Sequence, residues 1–109
     1  MIRITIYQNK QNKCIGFRSE GHAQYDGQGQ DIVCAAVSML VINTVNSIET
    51  LTKDKFVLDA EESGYIDYRI KGEPTKEAAL LLNSMILGLT GMEEDKNYRD
   101  YVDIIFEEV

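Results

Sequence analysis

Gly21-His22-Ala23-Gln24-Tyr25-Asp26-Gly27-Gln28-Gly29-Gln30-Asp31-Ile32-Val33-Cys34-Ala35-Ala36-Val37-Ser38 is where one periodicity of this chain gives way to another. Ahead of it apolar residues recur at every second position, and after Asp31 they recur at every third or fourth, so strands end here and a helix begins. Residues 23–30 are polar and punctuated by glycine, which reads as a loop. Asp31 reads as the N-cap of the helix, its carboxylate accepting N–H groups that the first turn leaves unsatisfied. Cys34 then falls at about N3, near the positive end of the helix dipole, where thiolate is favoured. The stretch also holds His22, the chain's one histidine. A cysteine and a possible base are therefore joined by a loop. The ordinary reading stands beside this one: small cysteine-alanine-valine runs are common core material, and a lone histidine is commonly structural. The position at a strand–loop–helix junction favours chemistry.

Working upstream, residues 14–20 alternate with Ile15 and Phe17 on the apolar face, and residues 2–7 alternate with Ile2, Ile4 and Ile6 against Arg3, Thr5 and Tyr7. The polar residues 8–12 between them form a turn, so the pair is a hairpin. Cys14 lies within the second strand, away from any helix terminus or base, and reads as a packing residue.

Downstream, a helix over residues 31–51 presents Val33, Ala36, Val37, Leu40, Val41, Thr44, Ile48 and Leu51 as its buried stripe. Ser38 lies four residues after Cys34 on the same face, placed either to bond near the thiol or to bond a backbone carbonyl. Residues 55–60 and 65–71 are two further strands around a turn at 61–64. Pro74 and Thr75 open a second helix with the stripe Ala78, Ala79, Leu82, Met85, Ile86 and Leu89, and Gly91 is its expected stop. Leu80, Leu81 and Leu87 fall off that stripe, which points to either deep burial or a subunit contact, the latter favoured. After a charged connection at 93–97, residues 98–106 form the last strand. The order is ββαββαβ, and the fold class is α+β: a two-layer sandwich, mainly antiparallel, with two helices on one face of the sheet.

At 109 residues the chain is one domain, residues 1–109, large enough to bury a core. A net charge of −7 argues against direct nucleic-acid binding and permits a basic partner. The apolar runs are shorter than a membrane span, and Met-Ile-Arg-Ile-Thr-Ile does not read as a signal peptide, so no membrane partner and a cytoplasmic location are expected. There the two cysteines stay reduced, without a disulfide between Cys14 and Cys34. Cys14, His22 and Cys34 match no close-paired zinc spacing; no metal and no cofactor are expected.

Gly21-His22-Ala23, Tyr25, Gly29 and residues 31–38 together resemble the ribosomal-processing cysteine protease (Prp) family of bacteria, closely over 21–38 and loosely over the whole chain. The resemblance implies a homodimeric enzyme that removes a short N-terminal extension from a large-subunit ribosomal protein, number twenty-seven in the standard naming. It implies Cys34 as nucleophile and His22 as base, with Asp31 and Ser38 in supporting places. Gly21, Tyr25, Gly27 and Gly29 are candidates for substrate binding or for a lid formed by the loop, Gly29 fitting the family pattern better than Gly27. Chemically, His22 takes the thiol proton, Cys34 attacks the scissile carbonyl, and the N–H of Val33 or Cys34 stabilises the oxyanion. Asp31 either caps the helix alone or also orients His22. The alternative of a different class is an acidic binding module that acts in ribosome assembly and cuts nothing.

Overall fold

The computed structural model describes residues 1–21, 28–61 and 64–109, with backbone alone at 28–31. Alternating isoleucines make β1 (Ile2–Gln8) a strand with one fully apolar face: Ile2, Ile4 and Ile6 are all core. It turns into β2 (Cys14–Glu20) through Asn9, whose side-chain Oδ1 accepts the N–H groups of Gln11 and Lys13 at 2.9 and 3.0 Å. The two strands pair antiparallel from Arg3↔Glu20 to Gln8↔Cys14, with a bulge at Tyr7/Gln8. Thr5 and Tyr7 on the second face of β1 are buried too, Arg3 alone staying exposed there, which alternation alone does not suggest. Tyr7 donates its hydroxyl to Asp67 at 2.8 Å and lies under the Arg69 guanidinium, 4.0 Å from the ring centroid.

Helix α1 (Gln28–Leu51) follows, then the hairpin of β3 (Phe56–Ala60) and β4 (Ile66–Ile70), helix α2 (Lys76–Glu94) and β5 (Val102–Glu108). The five strands are ordered β3-β4-β2-β1-β5, antiparallel throughout except for β1 and β5. Each helix is thus a crossover between strands that are not neighbours: α1 carries the chain past β4 to the far edge, and α2 carries it back past β2 and β1. Both helices pack on the same face of the sheet and against one another, their apolar stripes closing a core around Phe17, Tyr68 and the β1 isoleucines. The expected ββαββαβ sandwich is the observed one.

Several boundaries differ from expectation. Helix α1 starts three residues earlier than Asp31, and its stripe is Val33, Val37, Val41, Thr44, Val45 and Ile48; Leu51, expected inside, is 70% exposed because the last turn runs past the sheet. Helix α2 continues through Gly91 to Glu94, a glycine in helical conformation being tolerated when the packing on either side continues. Its start is as expected, with the Thr75 hydroxyl accepting the Ala78 N–H. Asp54 in turn accepts the Thr75 N–H at 2.9 Å. Burial works against the charge on Asp54, but the hydrogen bonds from Thr75 and Thr52 outweigh it and hold the carboxyl below its ordinary range. Strand β5 begins at Val102 rather than 98, because residues 96–101 are turns. Leu80 and Leu87 lie exposed on α2.

The segment Ile32–Leu51 is, by length and a mean hydropathy of 1.6, apolar enough to cross a membrane, contrary to the expectation drawn from run length. Its buried valine stripe and the polar residues Asn43, Asn46 and Glu49 among its outward positions mark it as the core helix of this sandwich.

Candidate active site

The two thiols sit in opposite settings. Cys14 is on β2, 6% exposed, its Sγ donating to the Gly16 carbonyl at 3.3 Å. Burial pushes its pKa up to about 11, so it is protonated and inert at neutral pH. As a thiol it is not bonded to Cys34. Cys34 is half-buried on α1, packed against the edge of the core and reachable from outside.

The helix start changes the local reading of Cys34. With Gln28 as the first residue, Cys34 is the seventh, in the second turn rather than the first. Asp31 is the fourth, inside the helix, so it is not the N-cap. Residues 28–31 are polar and carry no apolar periodicity, yet they hold no proline, the cost of Gly29 is borne at the helix end, and an aspartate in the first turn suits the dipole. The oxyanion assignment shifts for the same reason. Helix geometry leaves the N–H groups of residues 28–30 without an intrahelical partner, and those of Val33 and Cys34 lie beyond them.

The remaining expected site residues divide into three groups. His22, Tyr25 and Gly27 lie outside the described residues. Gly29 is the second residue of α1, which leaves residues 28–30 of the expected loop within the helix and makes proline at 29 tolerable as a first-turn residue. Gly21 ends β2 with φ +94°, and a Cβ there would meet the Met1 carbonyl oxygen at 2.3 Å. Its glycine is demanded by the turn that takes the chain off the sheet after β2.

Ser38 is exposed, one turn beyond Cys34, and lines a groove of about 370 Å³ between α1 and the β3 side of the sheet. Val41, Ile42 and Val45 form its helical wall; Leu58, Ala60 and Ile66 form its floor. The sequence marks some of these residues as core, Val41 among them, and none as part of a site. Their only local signal is Ile42 and Leu58 standing apolar and exposed, and the groove exists because distant segments meet. Among the described residues, no group of three or more His, Cys, Asp or Glu is arranged to hold a metal.

A half-buried helical thiol one turn from a residue that lines an apolar groove suits attack on a peptide. The profile described as Cysteine protease Prp matches residues 1–103. The chain belongs to the Prp cysteine protease family. The ribosomal processing cysteine protease Prp of Bacillus subtilis (strain 168) is 33% identical over 105 residues, covering 92% of each chain. The crystal structure of the essential ribosomal processing protease Prp from S. aureus with a substrate peptide superposes with a TM-score of 0.89 at 28% identity, over 98% of this chain and 100% of that one. The same protease with a covalently linked product peptide gives 0.87 at 29% identity, with the same coverage of 98% and 100%. The α+β architecture of this chain is the Prp architecture, and the chain is a cysteine protease. The reading as a binding module that cuts nothing gives way to that membership.

Proposed function

We propose that this Prp-family protease removes the N-terminal extension of large-subunit ribosomal protein twenty-seven, using Cys34 as nucleophile and His22 as base. The observation that carries this reading is the placement of Cys34: of the chain's two thiols it alone is half-exposed, and it stands one helical turn from an apolar groove. The relatives named for ribosomal processing support the substrate, and the net charge of −7 suits a basic ribosomal protein.

In the proposed reaction the Cys34 thiol proton passes to the His22 imidazole as sulfur attacks the scissile carbonyl. The tetrahedral oxyanion collapses to an acyl-enzyme, and His22 returns the proton to the departing amine. Water, deprotonated by His22, then releases the extension. The N–H groups at residues 28–30 lack acceptors within α1, and a substrate carbonyl at that end would find them. The enzyme acts in the cytoplasm as a homodimer, the exposed Leu80 and Leu87 of α2 furnishing apolar surface for a partner subunit.

The test is to mix purified protein with the ribosomal protein carrying its native extension and measure product masses. Two products whose masses sum to the substrate plus water are expected; an intact substrate after long incubation with a folded, reduced enzyme overturns the substrate assignment.

A further inference from the structure

The two edges of the sheet are unequal. β5 ends in acid, with Asp103, Glu107 and Glu108 along seven residues, a pattern that discourages pairing with another strand. β3 reads Phe56-Val57-Leu58-Asp59-Ala60 and carries one charge. Its ladder with β4 is defined at both ends: the Lys71 N–H donates to the Lys55 carbonyl at 2.8 Å, and the Glu61 N–H donates to the Tyr65 carbonyl at 2.9 Å. In that register odd-numbered residues hold the inward bonds, while Phe56, Leu58 and Ala60, opposite Ile70, Tyr68 and Ile66, turn N–H and C=O outward from the sheet.

The same even-numbered residues place their side chains toward the helical layer, and there the cover is incomplete. Leu58 is 44% exposed although it faces the same way as buried Tyr68, because α1 stops short of the edge. The uncovered shelf is the floor of the groove beside Ser38. One incoming extended strand would therefore meet unsatisfied backbone groups and an apolar slot at once. Asp59 and Glu61 stand at the end of β3, on a chain of net charge −7, and favour a basic residue on that strand.

We propose that the peptide substrate adds to β3 as a further strand of the sheet, seats an apolar side chain in the groove over Leu58 and Ile66, sets a basic residue near Asp59 and Glu61, and runs on past Ser38 to Cys34. Backbone bonding gives affinity that does not depend on sequence, and the groove supplies selection of the side chain. This inference rests on the protease reading above.

The probe is a synthetic peptide spanning the N-terminal extension and its junction, with one backbone N-methyl group introduced at a time away from the scissile bond. Each methyl removes one donor, so kcat/KM should fall about tenfold at every second position and stay near the parent value at those between. Binding of the same peptides to Cys34→Ala, followed by fluorescence anisotropy, should show the same alternation. Ala60→Pro removes an outward N–H while sparing the inward ladder, as proline is accepted on an edge strand. It should lower kcat/KM about tenfold, with the labelling rate of Cys34 by iodoacetamide and the melting temperature nearly unchanged. Cleavage of the parent peptide without any alternation overturns strand addition and leaves the protease reading standing. Alternation in binding without cleavage upholds strand addition and overturns the substrate assignment. Parent peptide that neither binds nor is cleaved overturns both. If Ala60→Pro alters the sedimentation of the protein alone and leaves kcat/KM unchanged, β3 pairs copies of this chain, and the proposal is wrong.

Discussion

Cys14 and Cys34 are the same functional group placed in two regions that differ in nearly every respect relevant to reactivity. Cys14 sits on a central strand, covered by core, and donates to a backbone carbonyl two residues away. Its thiolate would be stranded in apolar surroundings, which is why burial raises its pKa to about 11. Cys34 sits on the helix that crosses the sheet, packed against the core on one side, partly exposed, and one turn before Ser38 of the groove. A strand interior has both faces occupied once helices and ion pairs cover them, whereas a helix laid on a sheet keeps part of its circumference accessible. The contrast teaches that placement within the layers, rather than residue type, separates a packing thiol from a candidate nucleophile.

The most direct way to break the comparison is to exchange the roles by mutation. Cys34→Ala should abolish cleavage, lowering it by ~10³-fold or more, with the fold retained because alanine is the best helix former. Cys14→Ala should keep cleavage within about twofold while losing about 1 kcal/mol of stability through a small cavity. Turnover by a folded Cys34→Ala protein would rule out Cys34 as the nucleophile.

His22→Ala sharpens the same contrast from the side of the base. It should slow acylation at least ~10²-fold and slow labelling of Cys34 at neutral pH, while labelling of Cys14 in the unfolded protein stays the same. Wild-type rates in both assays would assign His22 a structural role.

Labelling of the native wild-type protein compares the two thiols in one tube. A shift from 9.0 to about 11 leaves Cys14 with about a hundredfold less thiolate than an ordinary cysteine near pH 7, and its burial slows it further. Cys34 should therefore react at least ~100-fold faster by peptide mass mapping. Equal, slow labelling of both would erase the distinction.

The smallest expected effect concerns pH. Because the folded-state pKa of Cys14 is raised above its unfolded value, the unfolded state releases the proton first as pH climbs. The stabilisation is fully present below pH 9.0 and is lost progressively toward about pH 11. Melting curves across that window should fall more steeply for wild type than for Cys14→Ala. Parallel curves would mean that Cys14 does not contribute to alkaline destabilisation.

Much of this protein was legible because it is local. The Ile2, Ile4, Ile6 alternation names β1 and its buried face, Thr75 after Pro74 marks the start of α2, and the 3–4 spacing of Ala78, Leu82, Met85 and Leu89 names its inner stripe. Each follows from the pleat of a strand or the turn of a helix, which need no partner to be read. The resemblance carried by residues 21–38 was likewise visible in a single segment, and the family match extends it to residues 1–103.

Other features depend on what lies alongside. Nothing in residues 28–31 announces a helix, and their extra turn moves Cys34 into the second turn and Asp31 off the cap. Leu51 has the right spacing for the core but overshoots the sheet, and Val45 takes its place. The parallel pairing of β5 with β1 and the exposure of β3 at the opposite edge follow from two crossovers, whose lengths do not specify which strand each will reach. The groove is the clearest case, since Ser38, Leu58 and Ile66 come from a helix and two strands and meet only when α1 lies across the sheet. Sequence alone determined the elements and the family, because periodicity and a contiguous motif are properties of one segment; the tertiary structure alone decided the groove, the open edge and the setting of each thiol, because burial and accessibility are properties of neighbours that the chain brings together from afar.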